Sequence, residues 1–273
     1  MIIKGVNTKK RLGQNFILDK NILSKIADAA QINDKDNIVE IGAGLGTLTI
    51  ELAKRAKRIV TYEVDEDILP NLKNNLLSFK NVFILNEDIM KADLNKVALN
   101  YFNNENFKVV ANLPYYITSP VIMHLFECKY IKEITLLIQK EVADRICGKP
   151  GTKDYGVLTI AVNYRAVPQI IFNLPPTVFI PQPKVESSLV KFEMLEKPSV
   201  IVKDERLFFR IVKAAFGQRR KVLSNALKTL GINKDIIDKA IAKCEIKPGT
   251  RGESLSIEQF ALLTDNIYNL INM

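Results

Sequence analysis

The chain has 273 residues, 47% of them hydrophobic, which is enough for a core of normal size in one large domain plus a small one and excludes a minimal scaffold. Its net charge of +9 favours a polyanionic partner, although many soluble enzymes are also basic. No apolar run reaches the length of a membrane span and the first residues lack the apolar region of a secretory signal, so we expect a soluble cytoplasmic protein without membrane attachment.

The three cysteines and the one histidine give no indication of a metal site. Cys128, Cys147 and Cys244 are widely spaced and include no C-x-x-C pair, which is typical of reduced thiols. His124 lies in an apolar pattern, where a packing or surface histidine is much more frequent than a catalytic one. We therefore expect neither a disulfide framework nor a bound metal.

The first part of the chain predicts a parallel sheet. A basic arm that includes Lys10 and Arg11 precedes a helix from Asp19. Strands and helical segments then alternate up to about residue 130, which is typical of a doubly wound α/β sheet. The strand at residues 38–41 runs into three glycines, and a helix is expected to follow from Thr47.

Gly42, Gly44 and Gly46 allow a ligand to approach the backbone closely. The N–H groups at the start of the helix from Thr47 would point at an anionic group of that ligand. A dinucleotide loop requires G-x-G-x-x-G, and Thr47 stands at its last position, so a nicotinamide cofactor fits poorly. The spacing G-x-G-x-G instead resembles that of enzymes that use S-adenosylmethionine (SAM).

Carboxylates follow the next two predicted strands. Residues 58–62 precede Glu63, about 20 residues after the glycines, which is the spacing at which an acid binds ribose hydroxyls in nucleotide-binding α/β units. Residues 82–85 precede Asp88, which could accept a hydrogen bond from the amino group of a cofactor adenine. The alternative for both acids is a helix cap or a solvated loop charge.

The run Asn112-Leu113-Pro114-Tyr115 follows an apolar strand and suits one chemical problem. An exocyclic aromatic amine such as adenine N6 is a weak nucleophile, and its N–H groups need hydrogen-bond acceptors. The Asn112 side-chain oxygen and the Leu113 carbonyl could supply them. Pro114 restricts the turn and has no competing N–H, while Tyr115 offers a face for stacking. The alternative is ordinary turn chemistry after a strand.

Three further β-rich runs would complete a sheet of seven strands with an antiparallel addition: residues 132–138, 166–172 and 187–192. Prolines between the last two runs should prevent regular structure from residue 175 to residue 183. Phe179 would then lie in a stiff loop that faces Asn112, or it would serve as a hydrophobic plug.

After residue 197 the pattern changes to helices, which we expect at residues 205–216, 218–230, 234–243 and 256–270. Residues 197–273 contain 14 Lys and Arg against 8 Asp and Glu, so this segment carries +6 of the net +9. Arg219, Arg220 and Lys221 stand at a predicted helix start, either as a solvated face or as a cluster that binds phosphates.

Six motifs resemble the ribosomal RNA adenine dimethyltransferase family, and in particular its bacterial small-subunit members, over nearly the whole chain. They are residues 11–16, 42–47, 112–115, 139–145, 175–187 and 213–221. Two positions depart mildly from the commonest pattern, because Ile17 stands where Leu is usual and Tyr116 replaces a frequent Asn. The resemblance implies a Rossmann-like class I methyltransferase domain over residues 1–196 and a helical RNA-binding domain over residues 197–273.

The resemblance also assigns roles to individual residues. The SAM contacts that it implies are Asn15, Ile17, Gly42, Glu63, Asp88 and Asn112, with Gly44 in the same loop. Tyr115 and Phe179 would clamp the target adenine beside the acceptors of Asn112 and Leu113 and the ring of Pro114. RNA would be bound by Lys10 and Arg11 of the N-terminal arm and by Arg219, Arg220 and Lys221.

The implied reaction is methyl transfer from SAM to adenine N6, performed twice on two adjacent adenines in a hairpin near the 3′ end of small-subunit ribosomal RNA. The implied partner is the immature small subunit, whose biogenesis the reaction would assist, and we expect a monomer.

Three alternatives remain at this point. Large-subunit methylases of the antibiotic-resistance type share nearly every catalytic motif, although residues 213–221 favour the small-subunit enzyme. DNA adenine methyltransferases have a second proline where this chain has Leu113, and they need a sequence-reading module that we do not find. The third alternative is a ribosome-assembly factor whose binding matters more than its catalysis.

Overall fold

The computed structural model describes residues 2–3, 6–7 and 14–272. The expected RNA contacts Lys10 and Arg11 lie outside the described residues. The chain divides into two compact units: unit 1 comprises Met1–Ala143 and Gln169–Met194, and unit 2 comprises Asp144–Pro168 and Leu195–Met273. In the part that is described, no helix is long and apolar enough to cross a membrane.

The strands in chain order are β1 (Ile2–Ile3), β2 (Val6–Asn7), β3 (Phe16–Ile17), β4 (Asn37–Ile41), β5 (Arg58–Tyr62), β6 (Val82–Leu85), β7 (Phe107–Asn112), β8 (Ile131–Gln139), β9 (Ala166–Leu174), β10 (Phe179–Ile180) and β11 (Ser187–Met194). Seven of them form one sheet in the order β6-β5-β4-β7-β8-β11-β9. The first five of these pair in parallel, and β11 pairs antiparallel with β8. The predicted seven-stranded sheet with its antiparallel addition is therefore confirmed.

The helices are α1 (Lys20–Ala29), α2 (Thr47–Ala53), α3 (Leu69–Leu76), α4 (Leu94–Tyr101), α5 (Thr118–Leu125), α6 (Lys140–Ile146), α7 (Val157–Arg165), α8 (Glu205–Gly217), α9 (Leu223–Leu227), α10 (Lys234–Lys243) and α11 (Ile257–Ile271). The predicted start of α1 is confirmed, because the Asp19 side chain caps it by accepting a hydrogen bond from the backbone N–H of Asn21. The predicted start of α2 at Thr47 is also confirmed.

The core of unit 1 follows from the burial of the central strands. All five residues of β4 are buried, as expected for a parallel strand that is covered on both faces. One hydrophobic cluster takes one side chain from each of five adjacent strands, and these are Ile59, Ile38, Val110, Leu137 and Leu189. Apolar side chains of α1 and α2 pack against them in the same cluster, which anchors the glycine loop at its helical end.

Unit 2 is helical and has its own hydrophobic core, which contains Phe208 and Phe260. It begins earlier than the expected domain boundary after residue 196, since it also includes residues 144–168. The physical reason is that Tyr155, Ile160 and Tyr164 belong to the same buried cluster as the C-terminal helices. Tyr155 is further tied to this unit by its hydroxyl, which donates a 2.8 Å hydrogen bond to the Leu255 carbonyl.

The helix expected at residues 218–230 is wrong at its beginning. Residues 218–222 form a turn, α9 covers only Leu223–Leu227, and a 3₁₀ turn follows at Lys228–Leu230. The backbone is held out of the helix because the Lys221 N–H donates to Gln218 O, and the Leu223 N–H donates to Thr250 O.

The proline-rich segment at residues 175–183 is more regular than expected. Pro176–Val178 forms a 3₁₀ turn, and Phe179–Ile180 pairs antiparallel with Phe16–Ile17. Pro176 is the first residue of its turn, where no N–H is needed, and Pro181 follows the last paired residue. The prolines therefore lie at the ends of the regular elements, and the expectation that they prevent regular structure is wrong.

Candidate functional site

Four parallel strands end at the same edge of the sheet, and a cavity of about 330 Å³ lies there. This volume falls in the range of small-molecule sites, and the carboxyl ends of strands are where open α/β sheets bind ligands. The lining residues come from unit 1 and are Gln14, Asn15, Phe16, Ile17, Leu23, Ile26, Ile41, Gly42, Ala43, Gly44, Thr47, Leu48, Tyr62, Glu63, Val64, Glu87, Asp88, Ile89, Met90, Asn112, Leu113, Pro114, Tyr116 and Ile117. The structure thus brings together every residue that was expected to contact SAM.

The glycine loop bends back onto β5. The N–H groups of Gly42 and Ala43 both donate to the Tyr62 carbonyl, at 2.8 and 3.1 Å. Gly44 has a φ of +55°, and a Cβ added there would lie 2.8 Å from a ring carbon of Phe16. Glycine is required at this position for two reasons, because the backbone is left-handed and because the Phe16 ring occupies the space of a side chain.

Glu63 is buried at the cavity wall and is oriented by two backbone donors. Its Oε2 accepts a 2.7 Å hydrogen bond from the Gly44 N–H, and its Oε1 accepts a 2.8 Å bond from the Asp65 N–H. Each carboxylate oxygen has a second lone pair, so further hydroxyl donors can be accepted. Burial raises the pKa of Glu63 above its ordinary value, and the two backbone bonds oppose that shift.

A second carboxylic acid, Glu40, lies buried in β4 beneath the site. Its Oε2 accepts hydrogen bonds from the Thr49 hydroxyl at 2.6 Å and from the Thr61 hydroxyl at 2.9 Å, which joins β4 to α2 and β5. Burial raises the pKa of Glu40 to about 7, against the effect of both hydroxyls. Sequence reasoning missed this group, although a lone acid within an otherwise apolar strand was a signal for it.

Asp88 both lines the cavity and caps a turn. Its Oδ1 accepts a 3.0 Å hydrogen bond from the Met90 N–H at the start of the 3₁₀ turn Ile89–Lys91. The helix-cap interpretation is therefore confirmed, and the contact with a cofactor adenine stays a prediction. The cap fixes the carboxylate at the end of β6, and its remaining lone pairs can serve a ligand.

The N-terminal strand β3 forms another wall of the cavity. The Thr47 hydroxyl donates a 3.0 Å hydrogen bond to the Ile17 carbonyl, and the Asn112 Nδ2 donates a 2.8 Å bond to the Asn15 carbonyl. Ile17 is also paired with Phe179 in the β3–β10 ladder. These contacts hold Asn15 and Ile17 between the glycine loop and the Asn112 turn.

The Asn112 turn presents hydrogen-bond acceptors. The Asn112 Nδ2 is engaged by the Asn15 carbonyl, which orients the amide, and its Oδ1 is an acceptor. The Leu113 N–H donates to Leu137 O at 3.2 Å, which anchors the turn to β8. The Pro114 carbonyl accepts from the Ile117 N–H in the following 3₁₀ turn, so the turn is rigid.

The two expected clamp residues are placed differently from the other site residues. Neither Tyr115 nor Phe179 is one of the described residues that line the cavity. The Tyr115 hydroxyl forms a 2.8 Å hydrogen bond with the Ser187 hydroxyl, and Phe179 is 2% exposed in the core of unit 1. Tyr116 does line the cavity and is 62% exposed, so it is an accessible aromatic face that sequence reasoning left without a role.

The expected RNA contacts of unit 2 differ in their surroundings. Arg220 and Lys221 are exposed in the turn at residues 218–222. Arg219 is also at the surface, but its guanidinium donates hydrogen bonds to the carbonyl oxygens of Lys153 and Tyr155 and to the Glu253 carboxylate.

The sequence matches a family model described as ribosomal RNA adenine dimethylase over residues 5–269. It is 55% identical over 266 residues to the ribosomal RNA small subunit methyltransferase A of Caldanaerobacter subterraneus, which covers 97% of this chain and 99% of that protein. The protein of the same name from Alkaliphilus oremlandii is 48% identical, with 94% of this chain and 91% of that protein covered.

Two solved structures are similar over most of the chain. A dimethyladenosine transferase from Plasmodium falciparum superposes with a TM-score of 0.78 at 26% identity, covering 91% of this chain and 95% of that chain. The 23S rRNA methyltransferase ErmE superposes with a TM-score of 0.71 at 24% identity, covering 93% of this chain and 100% of that chain. The second likeness shows a shared fold only.

Proposed function

The chain belongs to the ribosomal RNA adenine dimethylase family, and from that premise we propose that it transfers methyl groups from SAM to N6 of adenines in small-subunit ribosomal RNA, twice at each base. The observation that carries the proposal is one cavity lined by the glycine loop, by Glu63 and by the acceptor-bearing turn at Asn112. A cofactor site and an amine site would thereby share one wall.

The described residues suit SAM as the cofactor. The Glu63 carboxylate, fixed by the Gly44 N–H, would bind ribose hydroxyls, and Asp88 would accept from the adenine amino group. Apolar side chains such as Ile17 and Ile89 line the same cavity and would cover the faces of the adenine ring. When bound, SAM supplies an electrophilic methyl group.

The chemical contribution of the chain is the placement of acceptors around the target amine. Asn112 Oδ1 and the Leu113 carbonyl would each accept one N–H of adenine N6, which favours a pyramidal nitrogen with its lone pair directed out of conjugation. Both groups are neutral and are held by hydrogen bonds to Asn15 and Leu137. The catalysis that we propose is therefore orientation and electrostatic stabilisation, with no charged base.

Aromatic residues would hold the extruded base. Stacking contributes about 1–3 kcal/mol per base, and the proposed partners are Tyr115 and Phe179. Since Phe179 is buried behind β3, its ring would become available only if the β3–β10 pair shifts. Tyr116 is the additional aromatic candidate, because it already lines the cavity.

A second methylation of the same base is compatible with this arrangement. After one transfer N6 retains a single N–H, and either neutral acceptor can bind it without a change of charge. The proton lost in each cycle can pass to water. The substrate that we propose is a pair of adjacent adenines in a hairpin near the 3′ end of the RNA, presented in an immature subunit to a monomeric enzyme.

Incubation with radiolabelled SAM tests this function. The acceptors compared are unmethylated small subunits, large subunits, naked small-subunit RNA and DNA, and the labelled nucleosides are identified after digestion. We expect label as N6,N6-dimethyladenosine in small-subunit RNA alone. Label in large-subunit RNA or DNA, or as monomethyladenosine only, would contradict the proposal.

A further inference from the structure

We propose that unit 2 carries a surface for the RNA backbone that is assembled from three separate segments, and that Arg219 positions this surface. We call it the basic junction and define it as residues 148–155, 218–222 and 247–253. The inference rests on the proposed function, because it assumes an RNA substrate. It adds Lys149 and Lys153 to the RNA contacts and gives Arg219 a different role from its neighbours Arg220 and Lys221.

The three segments are joined by backbone hydrogen bonds within unit 2. The Gly151 N–H donates to Glu253 O at 2.8 Å, which joins the first segment to the third. The Leu223 N–H, directly after the second segment, donates to Thr250 O at 2.8 Å. The third segment is also seated closely on α8, because a Cβ added at Gly252 would lie 2.7 Å from the Ala215 Cβ.

Arg219 links all three segments through its side chain. Its Nη1 and Nη2 donate to the carbonyl oxygens of Lys153 and Tyr155 at 3.0 and 3.2 Å, and its Nε donates to a Glu253 carboxylate oxygen at 3.2 Å. A guanidinium is a rigid planar fork, so three bonds in different directions define the position of both neighbouring segments. These bonds engage three of its five N–H donors and neutralise Glu253.

The assembled surface is strongly basic. Its exposed cationic side chains are Lys149, Lys153, Arg220, Lys221, Lys247 and Arg251. The acidic residues of the three segments are Asp154 and Glu253, and Glu253 pairs with Arg219. The three segments together carry +5 of the chain's net charge of +9. Clustered Lys and Arg favour a polyphosphate because each neutralised phosphate releases counterions.

The composition of the junction favours RNA over a protein partner. None of the exposed large hydrophobic side chains of the described chain lies in its three segments. Stable protein interfaces depend on buried aromatic or aliphatic anchors, and those are missing here. In the first and third segments, proline, glycine and threonine separate the cationic residues, and these small side chains let a nucleic acid backbone approach closely.

The electrostatic part is tested by the double variant Lys149→Ala/Lys153→Ala in the full chain. Its affinity for unmethylated small subunits is measured over a series of salt concentrations, beside the control Lys73→Ala/Lys80→Ala, which removes two exposed lysines of unit 1. We expect the junction variant to raise Kd by about fivefold and to lower the slope of log Kd against log salt by about one to two, with the control near wild type. Equal behaviour of the two variants would overturn the inference.

The positioning part is tested by Arg219→Lys, which keeps the charge but loses the three-way fork. We expect a loss of affinity similar to that of the double variant, together with faster amide hydrogen exchange at Gly151, whose N–H bonds Glu253. Wild-type affinity and wild-type exchange in this variant would overturn the positioning role.

Two comparisons separate this inference from the proposed function. If wild type methylates small-subunit RNA but Lys149→Ala/Lys153→Ala binds normally, the junction is wrong and the function stands. If wild type transfers no methyl group to RNA, the function itself is wrong. If the double variant loses affinity for subunits but not for naked small-subunit RNA, the partner is a ribosomal protein and the RNA assignment is overturned.

Discussion

The Asn112 side chain donates a 2.8 Å hydrogen bond to the carbonyl oxygen of Asn15, a residue 97 positions earlier in the chain. This bond connects the turn that would hold the target amine to the residue before β3, in a wall of the cavity that we propose for the cofactor. It also orients the Asn112 amide, with the donor Nδ2 directed at Asn15 and the acceptor Oδ1 on the opposite side of the amide. The two proposed subsites are therefore coupled through a single carboxamide.

Asn112→Ala should reduce the methylation rate by more than tenfold, a barrier increase of at least about 1.4 kcal/mol. It removes both the proposed acceptor and the bond to Asn15, while the surface of unit 2 that we propose for RNA is unchanged. We expect kcat to fall and the Kd for RNA to stay near that of wild type. Full activity in single-turnover assays would remove Asn112 from the mechanism.

Glu63→Ala should weaken SAM binding at least tenfold, since a bond to a charged group contributes about 1.5–3 kcal/mol. The measurement is titration calorimetry, and Glu66→Ala is the control because Glu66 is exposed and is not among the cavity-lining residues. Burial raises the pKa of Glu63, so its carboxylate is protonated at a higher pH than that of an ordinary glutamate. As the solution is acidified, the affinity of wild type for SAM should therefore begin to fall at that higher pH. An unchanged affinity in Glu63→Ala would refute the ribose assignment.

Glu40→Gln should change how the free energy of unfolding depends on pH. The pKa of Glu40 is raised from 4.5 to about 7 in the folded protein, so its protonated form stabilises the fold below pH 4.5 and this stabilisation is lost as pH rises to about 7. The loss is on the order of 3 kcal/mol, and glutamine, which does not titrate, should avoid it while still accepting from Thr49 and Thr61.

Urea unfolding at several pH values measures this difference. We expect the stability of Glu40→Gln relative to wild type to increase between about pH 4.5 and pH 7. Glu66→Gln, at an exposed position, should show no such trend. A constant difference between Glu40→Gln and wild type would mean that Glu40 ionises normally in the fold.

Tyr116→Ala should raise the KM for RNA or lower kcat by about fivefold or more, because stacking on an aromatic face contributes about 1–3 kcal/mol. Tyr116→Phe keeps the ring and should restore most of the activity. Initial rates at varied subunit concentration measure both variants. If Tyr116→Ala retains wild-type kinetics, this exposed ring does not hold the base.

Gly44→Ala should weaken SAM binding because the new Cβ would meet the Phe16 ring, which lines the cavity. Gly231→Ala is a matched control, since Gly231 also has a positive φ, of +73°, but has open space around its missing Cβ. Both variants carry backbone strain, and only Gly44→Ala should displace Phe16. Calorimetry should therefore separate them, and equal SAM affinities would mean that the loop tolerates the contact.

Much of unit 1 could be predicted from the sequence because its signals are local. The apolar runs at residues 58–62 and 82–85 became β5 and β6, and the strand ends carrying Glu63 and Asp88 meet at one edge because parallel strands place their carboxyl ends together. The expected SAM contacts Gly42, Gly44, Glu63, Asp88 and Asn112 line one cavity for the same reason, whereas Asn15 and Ile17 reach it from β3 and the residue before it. Their roles in binding remain predictions.

The local sequence pattern did not predict the secondary structure correctly where a segment bonds residues that are distant in the chain. The proline run was expected to be irregular, but its pairing with Phe16–Ile17 made Phe179 a core residue. The basic turn was expected to begin a helix, but the Arg219 side chain bonds the Lys153 carbonyl and the Leu223 N–H directly after the turn bonds the Thr250 carbonyl.

The strand and helix order up to about residue 130, the glycine loop and the chemical types of the site residues could be predicted from local sequence, because periodicity and turn chemistry depend on neighbours in the chain. Contacts between distant residues were needed to establish that Asn112 bonds Asn15, that Glu40 is buried with a raised pKa, and that residues 144–168 join the helical unit. These three outcomes depend on desolvation or on contacts between residues far apart in sequence. A lone acid in an apolar strand points to Glu40, but its partners Thr49 and Thr61 come from α2 and β5.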